Sequence, residues 1–395
     1  MDPILQRAND LKPRLIPIME TLHRHPEVSF HEYETTRYLK EKFVKLELEI
    51  IDLGMDTGFA ALLRGGQPGK LIAIRADIDA IALQESPDNP VRSEIAGIMH
   101  ACGHDFHATC ALGAAMLLAK QRQQMEGDVV FFIQPAEEIT RGAAAMLDHG
   151  LLDKLPAPVS ALFGLHCEPR IPTGKVISKA GYASAGKTNF RVTLQGTTGH
   201  SGSPHTYHDV IVAGAALING IQTIVSRNKD PLRELVCAVH TVHAGDPEFF
   251  VTDKMQMTGT IRAFDEEVSR RAQMRLREIA EATAKAYECS CHVEIIPEVP
   301  PQINHPDVLP AARQACILVF GPENILREGP AFMGAEDFAV FGKKIPSHFY
   351  WLGTGFKDRV NATHHHPCFR VDYDAIPFGI ALLVHSALQA MTLFA

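Results

Sequence analysis

Two short motifs carry side chains that can bind divalent metals or move protons. In HACGHDFH, Cys102 and His104 flank a glycine, so a short loop can direct a thiolate and an imidazole at one small volume. In QPAEE, Glu137 and Glu138 are adjacent, and in irregular backbone one carboxylate can face a metal while the other faces a substrate water. Each motif alone is also compatible with a buried thiol, a core histidine or a solvated acidic turn.

Histidines elsewhere in the chain supply further ligands. GLHCEP places His166 at the end of a predicted strand, and THHHPCF places three histidines inside apolar sequence, unlike a terminal tag. The donors that could share two metals through a bridge are Cys102, His104, Glu138, His166 and one of His364, His365 and His366. Such metals would polarise an amide carbonyl and activate a metal-bound water as nucleophile, with Glu137 as general base. The set predicts hydrolysis without a covalent intermediate.

Three predicted strands must position these motifs. KLIAIRADIDA (70–80), DVVFFIQ and VSALFGLH are apolar runs typical of buried parallel strands, and polar residues stand at the end of each. An Ala- and Leu-rich helix is expected from about His107 onward. Because open α/β sheets bind ligands outside the carboxyl ends of their strands, we expect a doubly wound mixed α/β sheet with the site at that edge.

The pattern changes near Lys179 to a strand, helix, strand, strand, helix, strand succession, which is the order of a ferredoxin-like α+β unit. The two helices of this unit are expected at about 209–227 and 266–287. We therefore predict a discontinuous catalytic domain, residues 1–179 and 297–395, with an inserted domain over residues 180–296.

Composition excludes several classes of protein. The formal charge is −8 over 395 residues without a long basic run, so nucleic acid is not an expected partner. The longest apolar runs fall short of the roughly 20 residues that cross a bilayer, so no membrane association is expected. No basic segment followed by an apolar stretch opens the sequence, and the eight cysteines include no CxxC pair. These features predict a cytoplasmic protein with free thiols.

Ordered motifs along almost the whole chain resemble the M20 metallopeptidases, and within them the amidohydrolase branch of hippurate hydrolases, aminoacylases and auxin-conjugate hydrolases. The motifs are RHPEVSFHEYET, RADIDA, MHACGHDFH, QPAEE, GLHCEP, GHSGSPH, GTIRAFD, MGAEDFAVF and HHHPCF. The resemblance implies that Cys102 bridges the metals. It also implies that the other ligands are His104, Glu138, His166 and, among the late histidines, His365.

The resemblance assigns further roles in the catalytic domain. Glu137 is implied as the general base, and Asp79 as the acid that orients a metal ligand. Asp77 stands where other branches carry a histidine ligand, so it is not expected to bind metal.

The inserted unit resembles the family's lid and dimerisation domain, which implies a homodimer or a dimer of dimers. His200 is similar to a histidine that reaches the substrate carbonyl or its oxyanion, sometimes from the partner subunit. Arg262 resembles the residue that holds a substrate carboxylate, for which a planar guanidinium is suited. Glu336 is a further pocket candidate. A solvated strand arginine is the alternative for Arg262.

Two departures from the family pattern bear on specificity. Phe249 stands where the family commonly carries asparagine, and Thr197 and Thr198 stand in a lid motif that is more basic elsewhere.

We therefore expect hydrolysis of the amide bond of N-acyl amino acids with one or two zinc, manganese, cobalt or nickel ions per subunit. The alternatives are a dipeptidase or carboxypeptidase with the same metal centre, and a metal-binding protein without catalysis. A cysteine nucleophile built from Cys102 would require a thiolate free of metal.

Overall fold

The computed structural model describes residues 2–245, 250–326 and 332–394. Phe249 lies outside these residues. The chain divides into two compact units. Unit 1 comprises residues 1–183, 303–330 and 337–395, and unit 2 comprises residues 184–302 and 331–336.

The elements of the described chain are numbered in chain order. The helices are α1 Pro3–Arg24, α2 Tyr33–Lys45, α3 His104–Lys120, α4 Gly142–Asp148, α5 Val210–Thr223, α6 Glu266–Ala286, α7 Leu309–Phe320, α8 Phe338–Gly342 and α9 Ile376–Leu393. The strands are β1 Glu49–Ile51, β2 Phe59–Leu63, β3 Gln67–Asp77, β4 Glu126–Gln134, β5 Val159–Pro172, β6 Val176–Ile177, β7 Gly181–Ser184, β8 Gly186–Gln195, β9 Leu235–Ala244, β10 Lys254–Ala263, β11 Ser290–Val299, β12 Gln302–Asn304, β13 Ile325–Leu326 and β14 Ser347–Gly355.

Unit 1 is built on a mixed sheet with the strand order β1-β2-β4-β3-β5-β14-β6-β13. Its centre is parallel, because β3 pairs with both β4 and β5, and β5 pairs with β14, in parallel register. The central strands are apolar on both faces because helices cover each face: α3 and α9 contact each other and β3 and β5, whereas α4 contacts β4 and α8 packs Phe341 on Phe132 of β4. The predicted doubly wound mixed sheet is confirmed.

Unit 2 contains a four-stranded antiparallel sheet with the order β11-β8-β10-β9. Two helices, α5 and α6, pack on this sheet and bury apolar residues on successive turns, including Leu217, Ile221 and Leu276. The chain order β-α-β-β-α-β and this strand order are those of a ferredoxin-like unit. The predicted fold of the insertion is confirmed.

Within the described part of the chain, two helical stretches are long and apolar enough to cross a membrane by length and composition alone, Val210–Asn228 and Tyr373–Leu393. The sequence had suggested that every apolar run was too short. The second stretch is 72% buried within the protein, and its helix α9 packs against α1, α3 and α7. The first is 33% buried and covers the sheet of unit 2 with one face. The second stretch therefore packs as a core helix, whereas the first buries one face and exposes the other.

Candidate metal centre

The metal-binding motifs lie around the carboxyl ends of the central strands of unit 1. Asp77 ends β3, and Glu137 and Glu138 follow the end of β4 at Gln134. His104 is the first residue of α3, because Gly103 takes the left-handed conformation (φ 81°) at the N-cap. The predicted start of this helix near His107 was therefore three residues late.

His166 lies inside β5 and not at a strand end as predicted. The strand continues to Pro172 because it pairs with β14 beyond this point, with His166 opposite Trp351. Its ring is buried, at 5% exposure, and packs on the Trp351 ring. Pairing with β14 and the contact with Trp351 thus fix the position of this histidine.

All five predicted metal ligands converge in unit 1. The donor atoms of Cys102, His104 and His166 lie within 4.8 Å of one another, as do those of Cys102, Glu138 and His365. Cys102 belongs to both groups, and its Sγ is 3.4 Å from Nε2 of His166. His365 Nε2 is 3.2 Å from an oxygen of Glu138. These two groups of donors would hold one or two divalent ions, and Cys102 is common to both groups.

Hydrogen bonds orient two histidines for metal binding. His166 Nδ1 donates to the carbonyl oxygen of Cys167 (2.8 Å), and His104 Nδ1 donates to the carbonyl oxygen (2.9 Å) and carboxylate (3.1 Å) of Asp79. These partners place a proton on Nδ1 and leave Nε2 as the metal-binding atom of each ring.

Two buried polar atoms point to a cation. Among the described residues, Nε2 of His104 and Oε1 of Glu138 are buried without a hydrogen-bond partner, and they lie 3.9 Å apart. Burial lowers the pKa of His104, but the negative charges of Asp77 and Asp79 outweigh it and raise the pKa to about 10. Burial, reinforced by Glu138 and Glu137, raises the pKa of the Cys102 thiol. A divalent cation would compensate this excess of negative charge, so the residues fit a metal.

Asp79 links a metal ligand to the segment that carries the two glutamates. Besides holding His104, its carboxylate accepts hydrogen bonds from the Glu138 amide (3.0 Å) and the Ser29 hydroxyl (2.7 Å). Burial raises the pKa of Asp79. The hydrogen bond and charge of His104, together with the bonds from Ser29 and Glu138, outweigh burial and lower this pKa. One ionised side chain therefore sets the positions of two ligands.

Glu137 is buried at the edge of the cluster, with Oε2 at 3.9 Å from Nε2 of His104. The residue before it, Ala136, has φ +54°, and Thr140 after it has φ +57°. The Thr140 amide donates to the Glu137 carbonyl at 2.6 Å and closes a turn between the two left-handed residues. Both carboxylates of this turn reach the cluster, because an oxygen of Glu138 is also 3.9 Å from Nε2 of His104.

A network of buried charged side chains, which the sequence did not predict, lies next to the donor cluster. His107 Nδ1 donates to Asp77 (2.6 Å), and its Nε2 accepts the amide of Cys167 (2.9 Å), the neighbour of His166. Arg75 donates to Asp77 (2.6 Å) and to Asp337 (3.1 Å). Both oxygens of Asp77 are thereby engaged. The spacing of His104 and His107, one helical turn apart at the start of α3, was the available signal.

The three late histidines have different surroundings. His365 faces Glu138, whereas His364 donates through Nε2 to the carbonyl oxygen of Cys167 at 2.8 Å. His366 is exposed and accepts the Cys368 amide through Nδ1. His365, two residues before Pro367, combines proximity to Cys102 and Glu138 with access to solvent.

The predicted substrate-binding residues belong to unit 2. His200 is exposed, and its Nδ1 accepts the Gly202 amide. Arg262 is half-buried on β10 and donates to the Met333 carbonyl at 2.8 Å; burial lowers its pKa. Glu336 is buried, at 2% exposure. Thr197 and Thr198 hold their own loop through hydrogen bonds to the His208 amide and the Val251 carbonyl.

Comparison with known proteins gives concordant matches. The family model described as "Peptidase family M20/M25/M40" matches residues 73–389. An N-acetylcysteine deacetylase of Bacillus subtilis is 38% identical over 92% of this chain and 93% of its own. The IAA-amino acid hydrolase ILR1-like 2 of Arabidopsis thaliana is 34% identical over 95% of this chain and 84% of its own. The Bacillus subtilis YXEP protein, described as a dinuclear metal binding peptidase from the M20 family, has a TM-score of 0.84 at 33% identity, covering 97% of this chain and 99% of its own.

Proposed function

This chain belongs to peptidase family M20/M25/M40, and we propose that it hydrolyses the amide bond of N-acyl amino acids. It is a metal-dependent amidohydrolase that uses one or two divalent ions. The observation that carries the proposal is the buried convergence of the five donors with Glu137 beside them. The deacetylase and the conjugate hydrolase among its relatives support an N-acyl amino acid as substrate.

The residues of the metal centre have distinct roles in the proposed reaction. Cys102, His104, Glu138, His166 and His365 would hold the metal. When bound, the metal polarises the substrate carbonyl and lowers the pKa of a coordinated water. Glu137 accepts a proton as the amide carbon is attacked and returns it to the departing amine nitrogen. Asp79 keeps His104 in the tautomer that presents Nε2.

Three side chains of unit 2 are proposed to recognise the substrate. His200 would donate to the carbonyl oxygen, where negative charge develops in the transition state. Arg262 would pair with the substrate carboxylate, and its half-buried position favours a charged partner. Glu336 would line the pocket for the amino-acid side chain.

A second copy of this chain is the proposed partner of unit 2, giving a homodimer or a dimer of dimers. Strand β9 is at the edge of the sheet, and α5, which packs beside it, exposes Ile211 and Val212 at 48% and 50%. An open strand edge next to apolar side chains is a surface that proteins usually cover.

We propose a cytoplasmic location. All eight cysteines, each within the described residues, are free thiols, and four of them are also distant in the sequence from the metal motifs. Unpaired cysteines in this number are typical of a reducing compartment.

Release of free amino acid from a panel of N-acyl amino acids, dipeptides and C-terminally extended peptides tests the proposal. The metal-loaded wild type should turn over the N-acyl amino acids. Glu137→Gln should lower kcat about 10²–10⁴-fold, the range that a general base contributes, with bound metal unchanged. Glu168→Gln is a matched control, since this buried glutamate pairs with Arg170 at 2.7 Å and is not a predicted ligand.

Turnover of dipeptides or longer peptides alone would instead make the chain an exopeptidase. Binding of metal without turnover of any substrate would support a metal-binding protein without catalysis.

A further inference from the structure

Glu32 is a fully buried carboxylate that occupies the N-cap position of α2 but does not cap that helix. The first amides of α2, those of Glu34 and Thr35, are bound instead by the carboxylate of Glu27 at 3.2 and 2.8 Å. Glutamate is not among the residues preferred at an N-cap, and Glu32 makes no capping bond there. Because its side chain is buried, the carboxyl group needs another hydrogen-bond partner.

That partner is the backbone in front of Glu137. Oε1 of Glu32 accepts the amide of Ala136 at 2.7 Å, across 104 residues of sequence. Ala136 is itself fully buried, and its left-handed conformation is one that residues other than glycine adopt at a cost. A buried hydrogen bond of this length can hold such a conformation in place.

The turn that carries the two glutamates is thus held at separate points by separate carboxylates. Asp79 binds the amide of Glu138, whereas Glu32 binds the amide of Ala136. Glu137 lies between these two fixed amides. Loss of the bond to Asp79 would release a predicted metal ligand, whereas loss of the bond to Glu32 would release the residue that precedes the general base.

We propose that Glu32 is a positioning residue that holds Ala136 in the left-handed conformation and so aims Glu137 at the reacting water. This inference rests on the proposed function of Glu137. Misplacement of a general base by about 1 Å can cost up to about 100-fold in rate, so the effect falls on kcat and leaves substrate binding unchanged.

Two substitutions of Glu32 separate the reach of the side chain from the identity of its acceptor group. Glu32→Asp keeps a carboxyl group but withdraws it by one methylene, and we expect kcat to fall about 10- to 100-fold at unchanged KM and metal content. Glu32→Gln keeps an acceptor oxygen at the same reach and should retain most of kcat. Ala136→Gly removes the conformational cost at this position, so adding it to Glu32→Asp should restore kcat several-fold.

Glu27→Ala is the matched control. It removes a carboxylate that binds two backbone amides of the same segment without contacting the Glu137 turn. We expect it to lower the melting temperature with little change in kcat per folded molecule. Amide hydrogen exchange of residues 135–140 should accelerate in Glu32→Asp and not in Glu27→Ala.

The inference is overturned if Glu32→Asp retains wild-type kcat, if it loses metal or raises KM instead, or if exchange in the turn is unchanged. If the wild type hydrolyses no N-acyl amino acid, the proposed function fails, and hydrogen exchange alone then decides whether Glu32 holds the turn.

Discussion

At the scale of single residues, the chemistry of the site depends on which atom of each side chain faces the cluster. The sequence predicted Cys102 and His104 from their spacing, and the structure brings both together with Glu138. Spacing could not choose among the three late histidines, because the choice depends on a distant carbonyl that engages His364. The resemblance pointed to His365, whose role as a ligand stays a prediction.

Asp79→Ala should weaken metal binding about 10- to 100-fold, because His104 loses the partner that fixes its tautomer and orientation. Metal titration of the apo protein by calorimetry measures the change. Ser29→Ala, which removes only the hydroxyl bound to Asp79, should have a smaller effect. Equal affinities in wild type and Asp79→Ala would contradict this role.

At the scale of elements, buried ionic contacts hold the helices that carry the ligands. His23 of α1 contacts Asp105 of α3 at 2.8 Å and Glu85 at 3.1 Å. Burial lowers the pKa of His23, but its hydrogen bonds to both carboxylates outweigh this and raise the pKa from 6.5 to about 10. The contact fixes the first turn of α3 directly after His104.

The His23 contact predicts a dependence of stability on pH. Since the folded pKa of His23 is above its unfolded value, its contribution is fully present below pH 6.5 and is lost as pH rises to about 10. His23→Ala leaves two carboxylates without a cation and should cost about 3–5 kcal/mol near pH 6. Urea unfolding of the wild type and His23→Ala at pH 6, 8 and 10 should show that the difference in their free energies of unfolding decreases as pH rises.

His31→Ala is the control for this series, because His31 is exposed. A destabilisation by His23→Ala that is constant between pH 6.5 and 10 would show that His23 is not charged in the folded protein.

At the scale of the whole molecule, hydrophobic patterning predicted both folds, since buried parallel strands and the β-α-β-β-α-β order are local signals. The predicted boundaries, at 179/180 and 296/297, compare with divisions at 183/184 and 302/303 in the structure. The sequence did not predict the bond from His107 to Asp77 or the bond from Ala136 to Glu32, because these contacts join segments 30 and 104 residues apart.

Self-association is predicted to depend on the α5 face of unit 2. Ile211→Glu together with Val212→Glu should convert the oligomer to monomer, because charge on an apolar interface opposes its burial. Sedimentation velocity measures the mass of each species. Met274→Glu, at an exposed apolar position on α6, should leave the oligomer intact. A monomeric wild type, or a dimer that survives both substitutions, would contradict the prediction.

The central claim is that the five-donor cluster and Glu137 together hydrolyse an N-acyl amino acid, and titration of the apo protein with metal tests it most directly. Hydrolysis of an N-acetyl amino acid should be absent without metal, rise to a plateau at one or two equivalents of bound ion, and be lost again with a chelator. Glu137→Gln should bind the same equivalents with hydrolysis reduced at least about 100-fold. Hydrolysis that persists in the chelated protein and is abolished by alkylation of Cys102 would contradict the account and favour a thiol nucleophile.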